Sequence, residues 1–278
     1  MHKTILYLVL MGVCFTLNSC SNAVEPLCIM SYNIRLDVKS DGVNQWSNRR
    51  AGVVALLQEE KPDIFGIQEG LPHQVSFLSQ QLEEYLMIGE GRDGGNNGEY
   101  AAIYYKKDKL KLLKSETFWL SETSKKPTIG WDAALNRIAT YGVFSLVNSN
   151  KKIVVYNTHF DHIGKQAREN SAKLIVHHIK EHQFLKEQLV VMGDFNAEPN
   201  EAPIKIIENY LEDAFTTSFN KKHLGTFNAF DTQDKLLRRI DYIFTKNIEV
   251  AQHRHVQNKL ANGLWPSDHL PVLISIKK

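Results

Sequence analysis

Short apolar runs that stop on carboxylates, carboxamides or imidazoles constrain this chain more than any other feature. In "VVMGDFNAEPN" (190–200), Val190, Val191 and Met192 suit the interior of a sheet, yet Asp194 and Asn196 follow at once. The same break recurs along the chain. "CIMSYN" ends at Asn33, "DIFGIQE" at Glu69 and "IVVYNTH" at His159. "RRIDYIF" opens a strand with Asp241, and "SDHLPV" sets Asp268 and His269 before the last one. Residues i and i+2 of a strand point to one face. Asp194 and Asn196 are therefore expected to look the same way, with Phe195 turned into the core, Gly193 leaving room and Pro199 ending the strand. Taken singly, an Asn or Asp at a strand end is a turn former that bonds its own backbone. Several such ends in one chain instead predict a shared rim on a rigid sheet, where sites are commonly built.

The β-type runs are 27–34, 63–68, 100–106, 138–147, 152–159, 188–194, 240–245, 248–253 and 271–276. Helical patterns occupy 47–60, 72–84, 165–184 and 201–210. In the first of these, Ala51, Val54, Leu56 and Leu57 make an apolar stripe, with Glu59, Glu60 and Lys61 turned to water. Many strands are apolar on both faces. Each sheet must then be covered on both sides, by helices or by a second sheet. No internal repeat or linker interrupts the 278 residues, which predicts one large domain.

The first residues read differently. Lys3 precedes an apolar run from Ile5 to Leu17, too short to span a bilayer comfortably. Leu17-Asn18-Ser19-Cys20 resembles the lipobox of bacterial lipoprotein signal peptides, which implies a signal over 1–19, lipidation of Cys20 and a tether over 20–26. The catalytic domain is expected over 27–278, in the cell envelope, membrane-bound through the lipid anchor alone. With Cys14 lost and Cys20 acylated, only Cys28 remains, so no intramolecular disulfide is expected. The formal charge of +2 leaves no strong basic excess of the kind a dedicated nucleic-acid binder carries.

Carboxylates and carboxamides without cysteine suit a hard cation, Mg²⁺ or Mn²⁺, rather than a structural zinc. Glu69 is the natural principal ligand, with Asn33 and Asp268 near it. A remaining aspartate would orient or deprotonate water while histidines donate to phosphate oxygens, which amounts to in-line phosphoester hydrolysis.

Six motifs in order, "SYNIR", "GIQE", "NTHFDH", "GDFNAEP", "RIDYIF" and "SDHLPV", resemble the endonuclease/exonuclease/phosphatase superfamily from about Leu27 to the C-terminus. "FWLSET" (118–123) and "GWDAALNR" (130–137) resemble its nocturnin- and deadenylase-like branch. The resemblance implies a deoxyribonuclease I-like α/β/β/α sandwich, with two packed mixed sheets and outer helices. It also implies roles for particular residues. Glu69 would hold the metal, with Asn33 its neighbouring ligand and Asp268 a further one. Asp194 would activate water beside Asn196, His159 and His269 would contact phosphate, and Asp241 would orient His269. Arg137, in the looser motif "NRIATY", would match a phosphate-contacting arginine of that branch.

Other signals are weaker. In "HHIKEH", His178 and His182 lie four apart without the glutamate of a zinc-protease motif, and are expected on a polar helix face. "HRH" at 253–255 is expected at a solvated strand edge. "GRDGGNNGEY" (91–100) lacks the ending of a phosphate-binding loop but could flank the site, with Glu99 or Tyr100 touching substrate. The expected protein is a monomeric, divalent-metal-dependent phosphoester hydrolase. A phosphodiesterase or 3′-5′ exonuclease on nucleic acid or nucleotides is the first expectation. A phosphatase or sphingomyelinase-like hydrolase on small phosphoesters or lipid headgroups is the alternative, and a non-catalytic phosphoester-binding lipoprotein the third.

Overall fold

The computed structural model describes residues 26–147, 151–217 and 225–277. The signal peptide, Cys20 and all but the last residue of the tether lie outside the described residues. Two six-stranded sheets form the centre. The first contains β1 (Leu27–Asn33), β2 (Ile64–Gln68), β3 (Tyr85–Ile88), β4 (Ile103–Lys106) and the later β11 (Val250–His255) and β12 (Val272–Ile276). Between them the chain builds β5 (Leu110–Trp119), β6 (Ile138–Leu146), β7 (Lys152–His159), β8 (Gln188–Asp194), β9 (Glu212–Asp213) and β10 (Asp241–Lys246). The strand orders are β11-β12-β1-β2-β4-β3 and β5-β6-β7-β8-β10-β9. Each sheet is mixed: one parallel pair, β1 with β2 or β7 with β8, sits among antiparallel neighbours.

Alternation within the strands sorts side chains into three apolar layers. Leu27 and Ile29 of β1, Val155 of β7, Val190 and Met192 of β8 and Ile243 of β10 meet between the sheets. Met30 and Tyr32 turn outward onto α1 (Trp46–Glu60) and α2 (Pro72–Gln81). Leu189, Val191, Tyr242 and Phe244 turn outward onto α3 (Lys165–Glu181) and α4 (Ala202–Glu208), with the one-turn α5 (Ala214–Thr217) after them. The expected sandwich with outer helices is what forms.

Several details differ from the expectation. The α1 stripe uses Val53 with Val54, Leu56 and Leu57, while Ala51 is exposed and Glu60 is drawn into an ion pair with Arg254. The helix over 72–84 stops at Gln81, because Leu82 turns fully inward and leads into β3. β3 and β5 were not foreseen. β5 is an edge strand bonded only to β6, and exposed lysines break its apolar pattern. Nor does Pro199 end β8, which already stops at Asp194. "HRH" does lie on an edge strand, β11, with Arg254 and His255 partly exposed, but His253 is buried against Phe215, and burial lowers its pKa to about 3. His178 stacks on Phe118 at 4.5 Å and on His182 at 4.2 Å, and its Nδ1 lies 2.7 Å from the Tyr156 hydroxyl, a half-buried seam rather than a polar face.

Candidate active site

The parity of the strands delivers the site. In β1, Leu27 and Ile29 face the opposite sheet, so Asn33 does too. The same count carries Val155 to His159, Met192 to Asp194 and Ile243 to Asp241. Register aligns them across the sheet: Asp194 pairs with His159 on one side and with Asp241 on the other. Gly193 makes this possible. It has φ +149°, and a Cβ there would stand 2.1 Å from the Thr158 carbonyl oxygen. Glu69 follows β2 at φ +64°, a left-handed conformation uncommon outside glycine and asparagine, which swings its side chain toward Asn33.

Under this rim lies a polar layer. Gln68 donates to Ser31 Oγ at 3.2 Å and to Asn157 Oδ1 at 2.6 Å, while Asn157 donates to the Ile67 and Ala102 carbonyls across the sheets. Above it, the Asn33 amide donates 3.0 Å bonds to both Glu69 Oε1 and Asp194 Oδ2. Its own oxygen accepts from the Arg35 N–H. The second Glu69 oxygen accepts from the Leu36 N–H at 3.0 Å. Arg49 of α1, fully buried, donates to the carbonyls of Ile34, Arg35 and Pro266, and so ties the β1 turn to the segment carrying Asp268.

Three ionisable groups are strongly perturbed. Burial, then the Asp241 charge, raises Asp194 to about 7. Burial alone would suppress the His269 imidazolium, but Asp241 at 2.9 Å and Asp194 at 3.8 Å outweigh it and lift its pKa well above the ordinary value. His159 goes the other way: burial, then Arg137 and Arg92, pushes it well below. Asn196 Nδ2 lies 3.1 Å from His159 Nε2 and 3.0 Å from the Phe160 carbonyl, an acceptor only, which orients the amide nitrogen toward the ring. The ring is thus neutral, with Nε2 accepting and its proton on Nδ1.

Asn196 is in the site, but not by strand alternation. It has left β8 for a left-handed turn, φ +46°, closed by its own N–H donating to Asp194 Oδ1 at 2.9 Å. The turn-forming habit of asparagine and the role expected of Asn196 coincide here. Phe195 is pinned behind it by Phe160, Tyr242 and Phe244, as expected.

A cavity of about 510 Å³ opens on Glu69, His159, Asp194, Asn196, Asp268 and His269, with Glu99 and Arg137 on its wall. Asn33 and Asp241 stand behind this lining, buried to 0% and 2% exposure. Tyr100 is also set back, in a smaller adjoining recess, with its hydroxyl on Asn96. The cavity adds Arg35, Arg92, His162 and Arg238, none of them singled out from the sequence. All four lay inside quoted stretches, and for Arg35, His162 and Arg238 the place beside a strand end was the available signal.

Glu69, His159 and Asp194 can each present one ligand atom, all within 4.8 Å of one another, and so can Asp194, Asp241 and His269. The donors suit a hard divalent cation. Asp268, raised mainly by burial and also by Glu69, lies 3.7 Å from Arg35 and, like Asp194, is a buried carboxylate at this rim.

Residues 30–269 match the Endonuclease/Exonuclease/phosphatase family. An endonuclease/exonuclease/phosphatase from Bacteroides vulgatus is 35% identical with a TM-score of 0.85, over 90% of this chain and 98% of that one. The mannosyl-6-phosphatase of Bacteroides thetaiotaomicron is 33% identical, also with a TM-score of 0.85, over 90% and 99%. The human nocturnin catalytic domain, 21% identical with a TM-score of 0.72 over 90% and 94%, shares the fold.

Proposed function

This chain belongs to the endonuclease/exonuclease/phosphatase family, and we propose that it is a divalent-metal-dependent hydrolase of small phosphomonoesters. The observation that carries the reading is the meeting of Glu69, Asp194, Asp268, His159 and His269 on one 510 Å³ cavity. Glu69 and Asp268 would hold Mg²⁺ or Mn²⁺, with Asn33 fixing the Glu69 carboxylate. Bound there, such an ion supplies Lewis-acid charge to phosphoryl oxygens. Asp194, poised near neutral pH, orients the attacking water with Asn196 and takes its proton. His269 stays protonated against Asp241 and donates to a phosphoryl oxygen from Nε2. His159 turns its Nδ1–H toward Glu99 on the cavity wall, where Arg137 is paired with Asp161.

Two observations favour monoesters over nucleic acid. The 33%-identical relative is a mannosyl-6-phosphatase, and the formal charge of this chain is only +2. A phosphodiesterase or exonuclease is the second reading, supported by the branch motifs and the likeness to nocturnin. The lipobox supports a further proposal, anchoring at the cell envelope through Cys20, and a Cys20→Ala chain should leave the membrane fraction.

Initial rates on p-nitrophenyl phosphate and bis-p-nitrophenyl phosphate, with Mg²⁺, Mn²⁺ or EDTA, test the reading. Metal-dependent turnover of the monoester is expected, falling by about 10³-fold or more in Glu69→Ala and His269→Ala. Undiminished rates in those variants would sink the site assignment, and turnover of the diester alone would favour the nuclease.

A further inference from the structure

Beyond the phosphate-handling rim, the cavity wall carries a second cluster. The segment from Gly91 to Tyr100 folds back on itself, with the Arg92 N–H on the Glu99 carbonyl at 2.9 Å. Its ends are clamped. The Tyr100 N–H donates to the Gly70 carbonyl at 2.8 Å, which seats Glu99 beside the Glu69 segment, and the Trp119 indole donates to the Arg92 carbonyl at 2.6 Å. The Asn136 amide donates to Asp93 at 2.8 Å. Within this frame, Arg92 Nη2 meets Glu99 Oε1 at 2.8 Å, and both side chains line the cavity. Arg137 lies alongside, its Nε 3.3 Å from Asp161 and Nη2 2.9 Å from His162 Nδ1.

We propose that Arg92 and Glu99, with Arg137 beside them, form a subsite that reads the hydroxyl groups of a polyhydroxylated phosphomonoester of the hexose phosphate class. The inference rests on the phosphatase reading and names the substrate side of the same site. Charge is the first argument. Two guanidinium groups, Arg92 and Arg137, face two carboxylates, Glu99 and Asp161, so the cluster is balanced. A site for a second anion would keep surplus positive charge, whereas fixed donors interleaved with acceptors suit uncharged hydroxyls. Spacing is the second. Glu99 Oε2 stands 4.0 Å from His159 Nδ1, too far for a hydrogen bond, yet a single hydroxyl oxygen fits between them at about 2.8 Å from each. Shape is the third. Phe227, against His269, is the one Phe, Tyr or Trp ring on the cavity lining among the described residues, and Tyr100 beside Arg92 is set back in the adjoining recess with its hydroxyl on Asn96, so no such ring lines the Arg92 side of the cavity itself.

The test compares kcat/KM for glucose 6-phosphate, mannose 6-phosphate, n-hexyl phosphate and p-nitrophenyl phosphate in the metal-loaded enzyme. The wild-type protein should prefer a hexose phosphate over n-hexyl phosphate by about a hundredfold or more. In Glu99→Gln and in Arg92→Lys, the ratio of the hexose phosphate rate to the p-nitrophenyl phosphate rate should fall at least about tenfold. Wild-type indifference between hexose and hexyl phosphate overturns the subsite, and so does a ratio that either variant leaves unchanged. Turnover of p-nitrophenyl phosphate without hexose preference leaves the hydrolase reading standing. Loss of all metal-dependent turnover in the wild-type protein defeats that reading and the subsite with it.

Discussion

At the scale of single residues, the site sets activity against stability, and Asp194 shows how. Burial first, then Asp241, lifts its pKa to about 7 from an ordinary value of 3.8. In the metal-free protein the folded form therefore holds a proton that the unfolded form has already lost between those two values, and stability falls as pH rises through that window. The effect at full ionisation is on the order of 4 kcal/mol. Asp194→Asn removes it. Metal-free Asp194→Asn is expected to melt roughly 5 °C or more above wild type at pH 8, with the gap shrinking toward pH 4, while turnover falls about 10³-fold. Melts that track wild type at every pH would show that Asp194 is not the strained group. Asp194 was legible only in company: alone it reads as a turn former, but several strands of this sequence end on such groups. Arg92 had a bland explanation, since an arginine in a polar loop looks like any solvated charge until the fold pairs it with Glu99, while Arg238 stays exposed at the cavity mouth. Asn196 was legible for the wrong reason: alternation pointed to it, and a left-handed turn delivers it.

Elements carry the next level of the design. The parallel pairs β1–β2 and β7–β8 end at the same rim, but the Ser31, Gln68 and Asn157 layer couples the two sheets just beneath it. Gly66 leaves space for this crossing, since a Cβ would meet Asn157 Cγ at 2.5 Å. Asn157→Ala removes the acceptor of the 2.6 Å Gln68 bond and one donor from each of the buried Ile67 and Ala102 carbonyls, leaving the Gln68 amide only Ser31 and the Ala102 carbonyl only the Ile67 N–H. It should cost roughly 2–4 kcal/mol in urea unfolding and lower kcat through misplaced His159, whereas an unchanged midpoint would refute the coupling. On the far face, α3 is seated through His178, whose pKa burial lowers to about 4. The unfolded chain takes that proton from about pH 6.5 downward. This contribution to stability is therefore lost as pH falls toward 4. His178→Phe should keep its melting temperature between pH 7 and pH 4.5 better than wild type, and equal acid losses would argue otherwise. Central strands were readable because they are apolar on both faces. β3 and β5 were not: an edge strand needs only one covered face, and lysines on β5 hide its period.

For the whole molecule, the two sheets contribute different halves of one centre. Asn33, Glu69 and Asp268 come from β1, from the end of β2 and from the segment before β12, while His159, Asp194 and Asp241 come from the other sheet. The proposed ligands Glu69 and Asp268 both belong to the first sheet but lie far apart in the chain and meet only in the fold, so a cation bound between them stabilises the folded protein and not the unfolded chain. The order of motifs made this fold legible, but no motif states which end of a strand faces which neighbour, and only register brings Asp194 between His159 and Asp241. Linkage makes the consequence measurable. At a free metal concentration near a hundred times Kd, binding adds about 2.7 kcal/mol, which for a domain of this size is roughly 5–10 °C in Tm. Asp194 and Asp268, both raised, compete for the site as acids. The Mg²⁺- or Mn²⁺-induced rise in Tm should therefore be large at pH 8, shrink toward pH 5 and vanish with EDTA. Glu69→Ala should abolish it at both pH values while Asn157→Ala, which lies beneath the ligands, retains most of it. A metal-induced shift that is the same at pH 5 and pH 8 would mean that the ion binds somewhere other than this buried set of carboxylates.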